Sequence, residues 1–351
     1  MKDKIFFKVS ILGTVSILIL IMFTVILIDP YFHYHKPLCF FNYKISNQRY
    51  INDGIIKHFN YDAIITGTSM TENFKTSQFD EIFKTISIKV PFSGGSYKEI
   101  NDAIKIALEN NNNIKYVFRG LDYGKINEDY NKMTYDSYPI YLYDNNIFND
   151  YKYWWNKEIL IRGVAQNIIY NILGKKTTSF DEYSSWRDLK GGEDKVLKDY
   201  KRVDKKSEKV FLSEEDTKKI DKNIKENITK LPKKYPDVKF IYFITPYSIV
   251  YWDELNQKNE LEKQIHMEEY MIEKILEVSN IELYSFYSNY DLITNLENYK
   301  DVGHYTGDIN DKILNWIGKK KYKLSKENYK KYIRKNLEFY QKFDYDKIYE
   351  K

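Results

Sequence analysis

From residue 61 onward, short apolar runs alternate with segments whose apolar residues recur at helical spacing. The runs that predict strands are YDAIITG (61–67), TISIKV (85–90), IKYVFRGL (114–121), VKFIYFIT (238–245) and IELYSFY (281–287). Helix-like stretches follow most of these runs, for example YKEINDAIKIALENN after the second strand. Such alternation predicts an α/β fold, a parallel sheet covered by helices on both faces.

An unbroken apolar stretch near the amino end has a different meaning. Residues 9–28, VSILGTVSILILIMFTVILI, carry no charge. A helix of this length spans about the 30 Å hydrocarbon core of a bilayer. Lysines at positions 2, 4 and 8 place the preceding tail, 1–8, in the cytoplasm, so the chain after residue 30 is expected outside the cell. A buried helix of a soluble core is the alternative, but the charge-free length favours an uncleaved cell-membrane anchor.

The other segment boundaries are read from changes in the same patterns. Residues 29–60 are expected to connect the anchor to an alternating domain at 61–318. Within that domain, residues from about 124 to 236 lack the alternation and are rich in Tyr, Trp and Lys, which predicts a helical insertion. The tail at 319–351 is predicted to form a charged helix, and its charge run is typical of a solvated face.

Composition narrows the classes of function. A net charge of +5, from 55 basic and 50 acidic residues, does not call for a nucleic-acid partner. Cys39 is the only cysteine, so no internal disulfide is possible, and we expect this thiol to be inert. No cluster of His, Cys and carboxylate residues has metal-ligand spacing, and FSGGS (92–96) lacks the lysine and spacing of a phosphate-binding loop. Neither a metal nor a cofactor is therefore expected.

Candidate chemistry begins where the first strand ends, in IITGTSMTENF (64–74). Ligands of a parallel sheet bind beyond the carboxyl ends of its strands, and Ser69 lies at such an end, as a nucleophile or as a helix cap. A serine nucleophile needs a base that is oriented by a third group. Of the five histidines, His304 alone follows the last predicted strand, and Asp301 stands three residues before it. We therefore expect Ser69, His304 and Asp301 to act together.

These segments resemble the sequence blocks of the SGNH (GDSL-type) hydrolases and acyltransferases, over roughly residues 61–318. GTSM stands in the place of the nucleophile block, FSGGS in that of the glycine block, and DVGHY in that of the Asp-x-x-His block. The resemblance implies a three-layer α/β/α fold with a flavodoxin-like sheet. It also implies a triad of Ser69, His304 and Asp301.

One block departs from the family pattern. The family's Gly-x-Asn-Asp motif supplies an asparagine to the oxyanion hole, but RGLDYG (119–124) has Asp122 at that position. An ionised aspartate accepts hydrogen bonds and cannot donate one to an oxyanion. Either Asp122 points away, or the hole relies on the backbone N–H groups of Ser69 and of Gly94 or Gly95.

Several similar proteins are membrane-anchored with this domain outside the cell, and they serve alginate and peptidoglycan O-acetylation or teichoic-acid D-alanylation. The resemblance implies an extracytoplasmic acyl-ester transferase or esterase that forms an acyl-serine intermediate. Its expected partners are a cell-surface polysaccharide or teichoic-acid-type polymer, or the acyl donor of that polymer, and a multi-pass membrane acyltransferase. The residues leave hydrolysis or transfer open. Trp154, Trp155 and Trp186 can stack on sugars, but packing inside the insertion is favoured. A catalytically inactive binding or assembly subunit of a polymer-modification complex is the alternative.

Overall fold

The computed structural model describes residues 2–135, 138–144, 146–202 and 208–350. These residues form two compact units. We call residues 1–60 and 135–183 the N-terminal unit, and residues 61–134 and 184–351 the sheet unit. The predicted insertion at about 124–236 is divided between the two units, and the predicted domain boundaries stay a prediction.

In the described part of the chain, six strands form one sheet. They are β1 (Ala63–Gly67), β2 (Ser87–Pro91), β3 (Tyr116–Leu121), β4 (Lys239–Ile244), β5 (Ile281–Ser285) and β6 (Lys323–Leu324). The order across the sheet is β2-β1-β3-β4-β5-β6, with β1 to β5 parallel and β6 antiparallel to β5. The predicted α/β fold is confirmed, while the expectation of a wholly parallel sheet is wrong at β6. A strand of two residues is too short to leave an alternating pattern in the sequence.

Fourteen α-helices lie within the described residues. They are α1 (Lys2–Ile28), α2 (Gln48–His58), α3 (Thr76–Phe83), α4 (Tyr97–Asn110), α5 (Tyr151–Trp154), α6 (Gln166–Ile172), α7 (Glu193–Asp199), α8 (Glu214–Ile224), α9 (Lys230–Lys234), α10 (Ile249–Gln257), α11 (Leu261–Leu276), α12 (Tyr290–Thr294), α13 (Gly307–Gly318) and α14 (Tyr329–Lys342). π-helical turns at Ile159–Ala165 and Lys225–Thr229 lead into α6 and α9.

The strands are mostly apolar because both faces of the sheet are covered. Every residue of β1 and β2 is buried, as is typical of parallel strands. The register pairs Gly67 with Pro91 and Leu121 with Ile244. The segments that follow β1, β2, β3 and β4 therefore leave the sheet at the same edge, which is where the sequence places its candidate residues.

The helix after β1 differs from the prediction. The stretch MTENFKTSQFDEIF after the first apolar run is helix-like in sequence and predicts a helix over 70–84, but a 3₁₀ turn at Ser69–Thr71 comes first and α3 begins only at Thr76. The Thr71 hydroxyl donates to the carbonyl of Thr68 at 2.8 Å, and this side-chain bond competes with helix propagation. α4 behaves as expected, because Ser96 and Glu99 form a capping box at its start and its predicted apolar face is buried.

The C-terminal tail is not solvated on all sides. Tyr329, Tyr332, Ile333, Asn336 and Tyr340 form a buried stripe on α14. The ring of Tyr340 stacks on that of Trp252 with centroids 3.9 Å apart. The lysines of the tail helix occupy the opposite, exposed face. The charge run therefore marks one face of an amphipathic helix that covers the sheet unit.

In the N-terminal unit, α1 is long and apolar enough to cross a membrane. Only 6% of its most apolar 18-residue stretch is buried. The chain after it turns on Asp29, whose carboxylate accepts the backbone N–H groups of His33 at 2.9 Å and Tyr34 at 2.7 Å. The predicted connector, 29–60, is thus an ordered part of this unit and includes α2.

Candidate functional site

Glycines allow the sharp turn that carries Ser69. Gly67 has φ +148°, and a Cβ there would lie 2.5 Å from the Cγ2 methyl of Thr71. A Cβ at Gly120, on neighbouring β3, would lie 2.9 Å from the same methyl group. The Thr71 side chain therefore fills the space left by two glycines, and the chain turns tightly over the end of the sheet.

The structure brings the three residues of the predicted triad together. The Ser69 hydroxyl oxygen lies 2.7 Å from Nε2 of His304, at hydrogen-bond distance and across 235 residues of sequence. Nδ1 of His304 lies 2.9 Å from both carboxylate oxygens of Asp301. Thr68 is the residue that caps the 3₁₀ turn, since its hydroxyl accepts from the N–H of Met70. Ser69 is therefore not a helix cap, and its side chain faces a base.

The loop that carries His304 is held on both sides. An antiparallel bridge pairs Tyr299 with Tyr305, and the N–H of Lys300 donates to the carbonyl of His304 at 2.8 Å. The Ser248 hydroxyl donates to the carbonyl of Val302 at 2.7 Å. The Tyr305 hydroxyl donates to the carbonyl of Met70 at 2.9 Å, next to Ser69. These bonds fix the imidazole relative to the serine.

Asp301 changes the proton affinity of the imidazole. Burial, the largest influence, lowers the pKa of His304, but the hydrogen bond and charge of Asp301, with the charge of Asp122, outweigh it and raise the pKa above its ordinary value. Burial raises the pKa of Asp301, yet hydrogen bonds from the His304 ring and from the backbone N–H groups of His304 and Gly303 bring it below its ordinary value. An ionised Asp301 thus stabilises a proton on His304.

This arrangement suits nucleophilic chemistry. With Nδ1–H donating to Asp301, Nε2 of a neutral His304 is free to accept the Ser69 proton. A weakly nucleophilic hydroxyl is activated in this way by an adjacent, oriented base. The two carboxylate contacts fix the tautomer that the reaction needs.

Asp122 meets hydroxyl donors at the end of β3. Its buried carboxylate accepts from Thr68 at 2.6 Å, Tyr247 at 2.8 Å and Thr245 at 3.1 Å. A carboxylate that accepts three hydrogen bonds from hydroxyl groups is an acceptor and has no proton to donate. This geometry favours the alternative in which backbone N–H groups form the oxyanion hole, while a substrate-binding role for Asp122 stays a prediction.

The two glycines of FSGGS differ in what their N–H groups do. The N–H of Gly95 donates to the carbonyl of Phe92 at 2.7 Å, and a Cβ at Gly95 would lie 2.7 Å from Cβ of Phe92. Gly94 adopts φ +64°. Among the described residues, no acceptor is found for the N–H of Gly94 or of Ser69. The loop is tied to the nucleophile strand, because the N–H of Phe92 donates to the carbonyl of Gly67 at 2.8 Å. Ser69 and Gly94 are thus the available donors.

Trp186, which was predicted to pack inside the insertion, is instead a neighbour of the candidate site. Its ring meets that of His304 edge-on, with centroids 5.6 Å apart. Its indole N–H donates to Glu72 at 2.8 Å and its backbone N–H to Asn73 at 2.9 Å, both just after the Ser69 turn. Nζ of Lys300 lies 4.6 Å from the centre of the Trp186 ring. No sequence pattern signals this contact, because Trp186 lies more than a hundred residues from Glu72 and Asn73.

Arg119 is not available to a substrate. Its side chain is fully buried and donates to the carbonyls of Asn227 at 2.6 Å and Tyr97 at 3.2 Å.

In the described part of the chain, no three His, Cys, Asp or Glu side chains are placed to hold a metal ion. Comparison of the chain with protein-family models, with curated proteins and with solved structures finds no match.

Proposed function

We propose that this chain is an SGNH-type serine acyl-ester transferase or esterase that acts outside the cell on a cell-surface polysaccharide or teichoic-acid-type polymer. The observation that carries the proposal is the contact of 2.7 Å between the Ser69 hydroxyl and Nε2 of His304, whose other ring nitrogen faces Asp301. A hydroxyl, a base and a carboxylate in this order form the constellation used for acyl transfer on several unrelated folds.

The proposed reaction begins with attack of the Ser69 oxygen on the ester carbonyl while Nε2 of His304 takes the hydroxyl proton. The negative charge on the carbonyl oxygen is met by the N–H groups of Ser69 and Gly94. Collapse of the tetrahedral intermediate breaks the ester bond, and His304 gives its proton to the departing alcohol oxygen. Water or a polymer hydroxyl then attacks acyl-Ser69, with His304 again as base, and the serine is released.

A flavodoxin-like, three-layer arrangement is part of this proposal. The order β2-β1-β3-β4-β5 is the flavodoxin-like order, and ligands of such sheets bind outside the carboxyl ends of the strands. Ser69 follows β1 and Asp122 follows β3, at the edge where this rule places a ligand. The antiparallel β6 is an addition at the far side of β5.

We also propose that α1 is a single-pass anchor in the cell membrane. The length of the apolar stretch supports a helix that spans the membrane. The lysines at its amino end support an orientation with the sheet unit outside the cell. In this position the serine can take an acyl group from a multi-pass membrane acyltransferase and pass it to the polymer. The partner is inferred from the sequence resemblance.

An activity-based probe tests the proposal. A fluorophosphonate reacts with an activated serine, so the full chain should be labelled at Ser69, and Ser69→Ala should abolish the labelling. His304→Ala should reduce it strongly, because the base is lost. Ser77→Ala and His266→Ala, at exposed positions of the same unit, are the matched controls and should label normally. Absence of labelling in a folded chain would favour the inactive binding or assembly subunit.

A further inference from the structure

The N-terminal unit exposes large apolar side chains within α5 and on either side of it. We call these residues the apolar ridge: Ile147, Phe148, Tyr151, Trp155 and Ile161. Phe148 is 87% exposed and Ile147 69%, values that are unusual for such side chains in water. Exposed apolar residues continue along the helix that follows, at Ile168, Ile169, Ile172 and Leu173. Such a concentration of exposed apolar side chains in one segment indicates an interaction site.

The opposite face of the same segment is tightly held. The Tyr153 hydroxyl donates to Asp29 at 2.9 Å, and Asp150 accepts from the Tyr34 hydroxyl at 2.9 Å. A Cβ at Gly163 would lie 2.8 Å from Cγ of Pro30. The segment is thus packed against the residues that leave α1, and the exposure of the ridge is not a consequence of loose attachment.

Trp155 shows how far the segment extends along α1. Its indole N–H donates to the carbonyl of Leu18 at 3.2 Å. Leu18 precedes the last residue of α1, Ile28, by ten residues, or about 15 Å along the helix axis. The turn after α5 therefore lies beside the apolar stretch itself. The indole N–H is satisfied by a protein carbonyl, which a side chain at membrane depth needs and a side chain in water does not.

We propose that the apolar ridge inserts into the outer leaflet of the membrane beside α1. Lipid is the occupant that fits, because the ridge contacts the exposed apolar helix α1 through Trp155 and combines Trp and Tyr with aliphatic residues, as interfacial segments do. The chain then contacts the bilayer through two elements, and the ridge holds the N-terminal unit at the membrane surface. This proposal rests on the anchor proposed above and is independent of the serine chemistry.

Depth-dependent fluorescence quenching tests the insertion. In a Cys39→Ser background, single cysteines replace Phe148 or Ile161, and each full-length variant is labelled with bimane and reconstituted in phosphatidylcholine–phosphatidylglycerol vesicles. Lipids that carry a doxyl group on their acyl chains should quench most of the fluorescence at both positions. Leu12→Cys, within α1, reports the anchor, and the exposed Asn60→Cys of the same unit is the aqueous control.

The outcomes separate the two proposals. Quenching at Leu12, Phe148 and Ile161 but not at Asn60 supports insertion. Quenching at Leu12 alone keeps the anchor and overturns insertion of the ridge, whereas no quenching at Leu12 overturns both. If Phe148 and Ile161 are shielded only in native membranes and not in pure lipid, the occupant is another membrane protein and the lipid proposal is wrong. Fluorophosphonate labelling of Ser69 is measured on the same samples and tests the proposed enzyme separately.

Discussion

If Ser69 and His304 act as one catalytic unit, removing both should cost little more than removing either. Proton transfer to a positioned base and the nucleophile itself contribute to the same step, and single losses in such triads reach about 10⁴-fold or more. Two independent losses of about 10⁴ would multiply to about 10⁸, or roughly 11 kcal/mol at 1.36 kcal/mol per tenfold. A single unit predicts about 10⁴ for the double variant, or roughly 5.5 kcal/mol.

The assay is hydrolysis of a small acyl ester by the full chain in detergent, with Ser69→Ala, His304→Ala and the double variant. All three should retain the same residual rate, and thermal melts should show intact folding. Because the 2.7 Å contact is the basis of this expectation, multiplicative losses would refute it, and a fully active Ser69→Ala would remove the serine from the mechanism.

Asp301 should change the pH dependence as well as the rate. Because the pKa of His304 is raised above its ordinary value of 6.5, the imidazole is half protonated at a pH above 6.5. Ester turnover should therefore fall as the pH drops through that raised pKa. In Asp301→Ala, burial is left as the largest influence and lowers the pKa of His304, so the acid limb should move to lower pH. The loss in rate should be milder than in His304→Ala, since Asp301 orients the base. An unmoved acid limb would contradict the assigned contact.

Three further predictions concern the glycine turn, Asp122 and the buried carboxyl group of Glu268. Gly95→Ala should lower turnover strongly, because the new Cβ would lie 2.8 Å from the Phe92 carbonyl oxygen and disturb the turn that presents Gly94. Gly124→Ala, whose Cβ would meet no atom within 4 Å, is the matched control, and equal effects of the two would contradict the assignment. Asp122→Asn should move the acid limb of the rate profile to lower pH, since the charge of Asp122 helps to raise the pKa of His304; an unchanged profile would contradict this role. Burial raises the pKa of Glu268 to about 7 from an ordinary 4.5, so folding stability falls as the pH rises from 4.5 to 7, by about 3 kcal/mol at 1.36 kcal/mol per pKa unit. Glu268→Gln should therefore be the more stable protein in denaturant melts at pH 8, with its advantage lost near pH 5; an advantage that did not depend on pH would refute this.

The sheet was predictable because burial on both faces leaves a direct mark in the sequence. β1, β3 and β4 are mostly apolar, and each begins and ends within two residues of the predicted bounds. The Asp-x-x-His spacing placed Asp301 beside His304 because a side chain three residues earlier in a tight loop can reach both a backbone N–H and a ring nitrogen. These features depend on local sequence, or on the general geometry of parallel strands.

Other features depend on contacts that no pattern records. Trp186 reaches Glu72 and Asn73 across more than a hundred residues, from a stretch without periodicity. The two glycines of FSGGS look equivalent in sequence, yet the N–H of Gly95 closes a turn on Phe92 while that of Gly94 does not. α3 begins later than predicted because the Thr71 hydroxyl bonds to the backbone carbonyl of Thr68, and helix propensity alone does not report such competition.

The neighbours of Asp122 explain why an aspartate stands where the SGNH pattern has an asparagine. Thr68, Thr245 and Tyr247 all direct hydroxyl protons at Asp122, and two carboxylate oxygens can accept all three. An asparagine would offer one acceptor oxygen, and its NH₂ group would face a hydroxyl that already donates. One of these bonds holds Thr68, the residue that caps the turn and precedes Ser69. Asp122 therefore positions the serine through its neighbour and, through its charge, favours the protonated imidazole that serine attack would produce. In the proposed enzyme, the backbone N–H groups of Ser69 and Gly94 supply the donor that the resemblance places on this strand.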